Sequence, residues 1–166
     1  MDYETLQDLY LHELKDLYSA EKQILRALPK MAKHASSPEL RQAFEKHLQE
    51  TRIHAERLEQ IFERHGKATR GTKCKGIEGI IEEGEEWLDE NAQADVMDAG
   101  IISGAQRVEH YEIAGYGCAR TYANLLGHRQ DEELLSQTLH EEAETDKKLT
   151  SLAEKINVQA REHEMA

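Results

Sequence analysis

The segment of residues 18–28, YSAEKQILRAL, combines a helical apolar pattern with a carboxylate on the apolar face. Leu17, Ile24 and Leu28 recur at the spacing of three or four residues that places side chains on one face of an α-helix. Glu21 falls on the same face, because it lies four residues after Leu17 and three before Ile24. The segment therefore predicts a long amphipathic helix that directs one acidic side chain into the protein core.

The rest of the chain predicts three more long helices and one short helix. Helix-forming Ala, Leu, Glu, Gln and Lys are frequent, and the 166 residues include only 2 Pro, so the fold class is expected to be all-α. We expect the long helices over residues 5–34, 38–65, 96–126 and 131–158, and the short helix over residues 76–91. The tail, residues 159–166, is expected to fray.

Turn and cap residues support these boundaries. Ser37 suits an N-cap, and Pro38 suits the first helical position after it. Gly66 and Gly127 suit the positions that follow a helix C-terminus. Asp95 is expected to cap the third long helix.

The predicted helices are expected to form one domain over residues 1–166. Long amphipathic helices with short loops are typical of an antiparallel four-helix bundle. The link between the second and third long helices is much longer than the other links and contains the short helix. Such a crossover is typical of ferritin-like bundles.

Charge and composition exclude several kinds of partner. The 33 acidic side chains outnumber the 21 basic ones and give a net charge of −12, which disfavours nucleic acid and anionic membranes. No apolar run reaches the ~20 residues that span a bilayer, and the N-terminus lacks a secretory pattern. Cys74 and Cys118 form neither a disulfide framework nor a zinc motif. We expect a cytoplasmic protein.

The pattern seen at Glu21 returns in the other long helices. Carboxylates and two histidines, His47 and His54, fall on apolar faces, often as pairs one turn apart. Glu21 and Glu50 are about 30 residues apart, as are Glu112 and Glu142, so two similar hairpins would bring them to similar heights. The candidate metal ligands are Glu21, Glu50, His54, Glu109, Glu112, Glu142 and Asp146.

A cluster of buried carboxylates needs positive charge. Burying one unpaired carboxylate costs several kcal/mol, and neighbouring carboxylates cannot all ionise. The predicted inner faces supply no Lys or Arg at these heights. Helix bundles hold two iron or manganese ions with such residues, so we expect two metal ions, iron first and manganese as the alternative. Helix rotation or water-mediated pairing is the other explanation.

Single residues leave alternatives open. His54 is either a ligand or a hydrogen-bonded core histidine, and Asp146 either a ligand or a group that orients an imidazole or a water. One of Glu109 and Glu112 is expected to be a ligand and the other a supporting group. His47 is expected to be structural.

Three tyrosines and one cysteine complete the set. Tyr18, Tyr111 and Tyr116 either donate hydrogen bonds to carboxylates near the metals or simply pack. Cys74, in a predicted polar loop, is expected to be an exposed thiol.

Four segments resemble one known family over nearly the whole chain. SAEKQ at 19–23, HLQET at 47–51, VEHYEIAGYG at 108–117 and EEAETD at 141–146 are similar to the YciE/YciF family of ferritin-like bacterial proteins. The resemblance implies a ferritin-like fold, a dinuclear metal centre, a homodimer and an association with stress responses. It implies no established reaction.

The resemblance also bears on single positions. It implies that five glutamates occupy the family's inner acidic positions and that Asp146 matches as well; the five are Glu21, Glu50, Glu109, Glu112 and Glu142. Relatives can carry an amide at the position of His54. The ExxH spacing of ferritin-like proteins is absent, because Ile53 stands three residues after Glu50.

Two functions are therefore expected from the sequence. The first is a dinuclear metalloprotein that acts as an oxidoreductase on a small oxidant, either dioxygen or peroxide. The second is a non-enzymatic structural or interaction protein of the stress response, with a vestigial or different metal site. The sequence does not decide whether the protein is an enzyme.

Overall fold

The computed structural model describes residues 3–71 and 73–162, and its secondary structure is helical throughout this part of the chain. The helices are α1 Leu6–His34, α2 Pro38–Arg64, α3 Lys75–Leu88, α4 Ala94–Leu125 and α5 Arg129–Glu162. The all-α prediction is confirmed. The expectation of one domain over residues 1–166 stays a prediction.

The four long helices form an antiparallel bundle. Each hairpin, α1 with α2 and α4 with α5, packs closely, and contacts of α1 with α4 and of α2 with α5 close the ring. Arg64 at the end of α2 binds Asp131 at the start of α5, so these two neighbours run in opposite directions. α3 lies in the crossover and packs on α1 and α4. The ferritin-like four-helix bundle with a short fifth helix is confirmed.

The interior of the bundle contains two apolar layers along its length. One layer includes Ile24, Phe44 and Ile102, and the other includes Leu17 and Leu58. Each fully buried apolar side chain of this size contributes roughly 1.5–3 kcal/mol to the stability of the fold. The helix segments between the two layers carry six buried acidic and histidine side chains, so the apolar layers offset the cost of a polar layer between them.

Several predicted boundaries are confirmed. The Ser37 hydroxyl accepts a hydrogen bond from the backbone N–H of Leu40, and Pro38 opens α2. Gly66 and Gly127 follow α2 and α4 with φ angles of 59° and 76°, a left-handed conformation that favours glycine.

Other predicted boundaries are wrong by a few residues. α4 begins at Ala94 after Gln93, so Asp95 is not the N-cap; it lies in the first turn, where its negative charge favours the helix N-terminus. α5 begins at Arg129, and the predicted first residue, Asp131, is buried inside its first turn. The expected fraying is also wrong for residues 159–162, which continue α5; residues 163–166 lie outside the described part.

A buried aspartate fixes the turn between α1 and α2 to α4. The two carboxylate oxygens of Asp98 accept hydrogen bonds from the backbone N–H groups of Ser36 and Ser37, at 2.8 and 2.7 Å. These donors precede α2 and have no partner within that helix. Asp98 therefore satisfies the start of α2 and joins the two hairpins at this end of the bundle.

None of the helices, within the described ranges, is long and apolar enough to cross a membrane. This agrees with the charged composition of the long helices.

Candidate metal centre

Six ionisable side chains meet between the two apolar layers. α1 supplies one, α2 and α4 supply two each, and α5 supplies one, so all four long helices contribute. None is more than 2 % exposed. These residues are called the central cluster: Glu21, His47, His54, Glu109, Glu112 and Glu142.

The central cluster contains two overlapping groups of potential ligand atoms. In one group, Glu21, His54 and Glu142 each place an atom within 4.8 Å of the others. In the second group, His47, Glu109, Glu112 and Glu142 do the same. The Glu142 carboxylate belongs to both groups and lies between the two histidines.

Close contacts between unlike groups occur within each part of the cluster. His54 Nδ1 lies 2.8 Å from Glu142 Oε1 and 3.5 Å from Glu21 Oε1. His47 Nε2 lies 3.2 Å from Glu109 Oε1 and 3.8 Å from Glu142 Oε2. Neither His54 Nδ1 nor His47 Nε2 makes an aligned hydrogen bond there, so both nitrogens remain available to coordinate a metal ion.

The polar atoms of the central cluster are poorly satisfied. Within residues 3–71 and 73–162, eight buried side-chain nitrogen and oxygen atoms lack a hydrogen-bond partner, and all eight belong to this cluster. Both oxygens of Glu112 and both of Glu142 are among them. Buried polar groups are normally paired, so this concentration needs an explanation.

Burial changes the protonation of the carboxylates. Burial, and then the negative charges of Glu142, Glu21 and Glu109, raise the pKa of Glu112 well above its usual value. Burial and the charge of Glu109 raise the pKa of Glu142 to about 7, even though His54 and His47 act in the opposite direction. Without another cation, some of these carboxylates must keep their protons at neutral pH.

The two histidines partly compensate the carboxylates. Burial alone would lower the pKa of His54, but the neighbouring Glu142 and Glu21 outweigh burial and raise this pKa to about 10. Burial likewise opposes protonation of His47, while Glu109 and further carboxylates raise its pKa well above the usual value. Two imidazolium groups cannot balance four carboxylates.

His54 is supported on its outer side by a carboxylate that is itself paired with Arg57. For His54, Nε2 lies 2.8 Å from Glu141 Oε2, and two N–H groups of Arg57 donate to the same carboxylate at 2.7 and 2.9 Å. Metal-binding histidines usually have this kind of outer partner, because it fixes the ring and its tautomer.

The outer side of His47 faces a hydroxyl group, and a carboxylate lies just beyond hydrogen-bond distance. His47 Nδ1 lies 3.3 Å from Thr145 Oγ1 and 3.7 Å from Glu50 Oε2. Lys46 donates to the other oxygen of Glu50 at 2.6 Å. Nearby His47 and then Lys46 lower the pKa of Glu50 to about 2.

The structure brings five of the seven predicted ligands into the central cluster and places two outside it. Glu50 lies behind His47, and its side chain is 19 % exposed. Asp146 is equally exposed; it accepts a hydrogen bond from Gln106 at 3.1 Å and lies 3.3 Å from His110. Neither residue belongs to the two groups of ligand atoms.

The structure adds three residues that the sequence did not indicate as part of the site. His47 was expected to be structural, yet it faces the carboxylates. The signal was its spacing, since it lies two helical turns before His54 on the same apolar face. Glu141 and Arg57 had no such signal, because their pairing depends on how α2 and α5 pack.

All three tyrosines that we considered bind carboxylates, but only one binds the central cluster. Tyr116 donates a hydrogen bond to Glu21 inside the cluster. Tyr111 donates to Asp16 at 2.7 Å, and Tyr18 donates to Glu59 at 2.7 Å.

The predicted exposure of Cys74 is wrong. The thiol is buried beside Asp16 and Tyr111, because the loop before α3 folds back onto α1. Burial also raises the pKa of this thiol, so the structure gives no sign of a reactive thiolate.

A third group of ligand-type side chains, called the end cluster, lies where α2 ends and α5 begins: His65, His128 and Asp131. Asp131 accepts hydrogen bonds from Arg64 at 2.7 and 2.9 Å and from Tyr10 at 3.0 Å. His65 Nε2 lies 2.7 Å from the same carboxylate. His128 Nε2 lies 2.7 Å from Gln7 Oε1, so the polar groups of the end cluster have partners.

Two openings approach the central cluster from opposite sides. A polar groove of about 840 Å³ lies between α2 and α5 and reaches Glu50 and Thr145 beside His47. A much smaller cavity of about 40 Å³ lies between α1, α3 and α4, and Glu109 forms part of its wall. The two openings differ in polarity as well as in size.

The comparisons with known proteins agree with this architecture. Residues 5–162 match the family described as domain of unknown function DUF892. Protein YciF of Escherichia coli strain K12 is 46 % identical over 154 residues, which cover 92 % of this chain and 93 % of YciF.

Solved structures give the same result. The crystal structure of the E. coli stress protein YciF superposes with a TM-score of 0.90 at 45 % identity, covering 93 % of this chain and 98 % of that one. YcfI from Rhodopseudomonas palustris, provisionally named a structural protein, gives a TM-score of 0.87 at 44 % identity, covering 90 % of this chain and 95 % of that one. A Xanthomonas campestris protein with 20 % identity and a TM-score of 0.77, covering 98 % and 100 %, shares the fold alone.

Proposed function

The chain belongs to the DUF892 family, and on that premise we propose that it is a stress-associated metalloprotein whose central cluster holds two iron or manganese ions. In this proposal the protein acts as an oxidoreductase on dioxygen or peroxide. It extends the association with stress that is stated for YciF to a specific chemical site in this chain.

One observation carries the proposal, namely the concentration of unpaired buried atoms in the central cluster. All eight unpaired buried atoms of the described residues point to a single place, where four carboxylates and two imidazoles meet. Leaving buried charged groups unpaired costs several kcal/mol each. Two divalent cations would give these atoms partners and would reverse their mutual repulsion.

The donor set fits two ions that share one carboxylate. Glu21, His54 and Glu142 would hold one ion. His47, Glu109 and Glu112 would complete the second site. Carboxylate oxygen with imidazole nitrogen suits iron and manganese, and helix bundles hold such pairs with inward-facing Glu and His side chains.

The outer carboxylates would prepare the histidines for binding. When His54 donates its Nε2–H to Glu141, the lone pair of Nδ1 faces Glu142 and Glu21. Arg57 holds Glu141 in place through two hydrogen bonds. Glu50 and Lys46 would serve His47 in the same way, so Glu50 would act behind a ligand instead of as one.

Two bound iron or manganese ions would supply redox chemistry toward a small oxidant. The protein side chains would hold the ions, and the apolar layers on both sides would limit access of water. The Tyr116 hydroxyl donates to Glu21 and would fix the orientation of that carboxylate. We also place the protein in the cytoplasm and expect a homodimer, both on the family resemblance.

Elemental analysis of protein purified without added metal tests the proposal. We expect about two iron or manganese ions per chain. The double variant Glu112→Gln/Glu142→Gln should retain almost none, because it removes the shared carboxylate and one further ligand. Glu144→Gln, an exposed change on the same helix as Glu142, is the matched control and should retain the wild-type metal content.

The same experiment separates the non-enzymatic alternative. The provisional description of YcfI as a structural protein favours that alternative. It predicts wild-type protein without stoichiometric iron or manganese and no consumption of dioxygen or peroxide by the reduced protein. Equal metal content in the double variant and the control would show that the metal lies elsewhere.

A further inference from the structure

The cavity of about 40 Å³ lies between a surface ion pair and the central cluster. Its outer rim includes Lys30 and Glu85, an exposed ion pair at 2.6 Å between α1 and α3. At its inner side lies Glu109, which is 2 % exposed and belongs to the central cluster. The cavity therefore shares a wall with the candidate metal centre.

The walls between these two points are apolar. Ile24 and Leu28 of α1 face Ile81 of α3 and Ile101 of α4 across the cavity. Gly104 leaves space on the α4 side, since a methyl group built there would meet nothing closer than 3.9 Å. Apolar cavities of this kind stay free of water and take up apolar guests, because water needs two to four polar partners.

The size of the cavity limits the guest. Drug-sized ligands need roughly 300–1,000 Å³, whereas one water molecule needs at least about 10–15 Å³ on a comparable measure. A space of about 40 Å³ suits a diatomic molecule or a single noble-gas atom. A guest with hydrogen-bond donors would lose its bonds to water and would find only Glu109, at the inner end of the otherwise apolar walls, to replace them.

We propose that this cavity binds dioxygen beside Glu109 and selects it over hydrogen peroxide, an inference that rests on the function proposed above. Dioxygen is small and apolar, so it fits both the volume and the walls. Peroxide is polar at both ends and would pay for desolvation. The polar groove at Glu50 and Thr145 gives peroxide a separate approach on the other side of the cluster.

Xenon is a suitable probe because it is apolar, compact and visible in diffraction. Crystals of the metal-free protein under xenon pressure should show one xenon site between Ile81 and Gly104. Gly104→Leu should abolish this site, because its side chain enters the cavity. Gly117→Leu is the matched control: it lies on the same helix, outside the cavity walls, and a methyl group there meets nothing within 4 Å.

Oxidation of the reduced, metal-loaded protein provides the second readout. In Gly104→Leu, the rate of oxidation by dioxygen should fall by at least about tenfold, as expected when extra carbon atoms fill a small apolar pocket. The rate with hydrogen peroxide should stay close to that of wild type and of Gly117→Leu. Equal losses with both oxidants would overturn the proposed selection.

The two proposals can fail separately. Absence of xenon from the wild-type cavity would overturn the gas site whatever the metal content. Xenon binding together with the absence of stoichiometric iron or manganese from the protein as purified would overturn the metal centre and leave an apolar gas cavity without the proposed partner. If Gly104→Leu does not fold, Gly104→Ala replaces it, because the structure has space for the added methyl group. This variant should lower the xenon occupancy, and an unchanged occupancy would count against the gas site.

Discussion

The central cluster and the end cluster place the same kinds of side chain in the same bundle, and they differ in what surrounds the carboxylates. At the end cluster, Asp131 accepts hydrogen bonds from Arg64 and Tyr10 and lies 2.7 Å from the His65 Nε2. In the central cluster, neither oxygen of Glu112 has a hydrogen-bond partner. Histidine and carboxylate side chains close together are therefore not enough to indicate a metal.

Whether a buried carboxylate already has hydrogen-bond donors and a cationic partner is therefore more informative than which side chains lie near it. Arg64 already supplies positive charge to Asp131, so a metal ion at the end cluster would add little and would repel the guanidinium. Beside the central cluster, Arg57 is held by Glu141 and makes no ion pair with the four buried carboxylates. The positive charge must come from protons on buried groups or from bound cations.

Removing one carboxylate from each cluster should change the stability of the protein in opposite directions, and this is the largest expected effect. Asp131→Asn should destabilise the protein by roughly 2–4 kcal/mol, because it leaves a partly buried Arg64 without its ion pair. Glu112→Gln should stabilise the metal-free protein by about 1 kcal/mol or more, because it removes the cost of keeping this buried carboxyl group protonated at neutral pH. Denaturant unfolding with a chelator present measures both changes.

Metal binding supplies the control for this pair of variants. Asp131→Asn should keep the wild-type metal content, while Glu112→Gln should lose part of it. Destabilisation of the metal-free protein by Glu112→Gln would contradict the idea that this carboxylate is unsatisfied in the folded chain.

Neutralising the carboxylate behind His54 should have an intermediate effect. Glu141→Gln removes the negative partner of the His54 Nε2 and should weaken metal binding by about 10–100-fold. Competition titration with a chelator of known affinity measures the change, and Glu144→Gln is again the exposed control. Unchanged affinity would mean that Glu141 does not orient a ligand and only pairs with Arg57.

The pH dependence of stability should give the smallest effect. Glu142, whose pKa rises from 4.5 to about 7, binds more protons in the folded than in the unfolded state between these values. His54, whose pKa rises from 6.5 to about 10, does the same at higher pH. Their contribution to stability is therefore present at low pH and is lost as pH rises.

The Tm of the chelated, metal-free protein should consequently fall by several degrees between about pH 5.5 and about pH 8.5. The lowered pKa of Glu50, about 2, affects the stability only in more acidic solutions. Asp131→Asn should keep the slope, and Glu142→Gln should reduce it. A Tm that rises over this range would contradict the assigned protonation of the central cluster.

The sequence predicted the fold and most of the central cluster for one physical reason. A period of 3.6 residues identifies the buried face of a long helix, and Glu21, Glu112 and Glu142 lie in the middle of such faces. The crossover could be predicted because one link was much longer than the others. These features depend on local pattern and chain length alone.

The exact rotation of each helix was harder to predict. On α2 the buried face runs through Phe44, His47, Thr51 and His54, at alternating steps of three and four residues that pass over Glu50. On α5 the same alternation passes over Asp146. Because Glu50 lies three residues after His47, it also has the spacing of a buried position. A short stretch of the pattern could therefore not show which of the two side chains faces the interior.

Contacts between helices left no local signal. Asp131 looked like the start of a helix, and nothing near it in sequence indicated the hydrogen bond from Tyr10, more than 100 residues away. Helix boundaries moved for a related reason, since Asp95 has a suitable side chain for a cap but α4 starts at Ala94, two residues before the predicted start at residue 96.

The hydrogen bonds of Asp98 bear on the order in which the new chain folds and takes up ions. Asp98 closes one end of the bundle by joining the α1–α2 turn to α4, and Asp131 joins α2 to α5 at the other end. Both connections use protein groups only. We therefore expect the newly made chain to reach its native topology first and to load any ions afterwards, so that a shortage of metal would leave intact, inactive molecules in reserve.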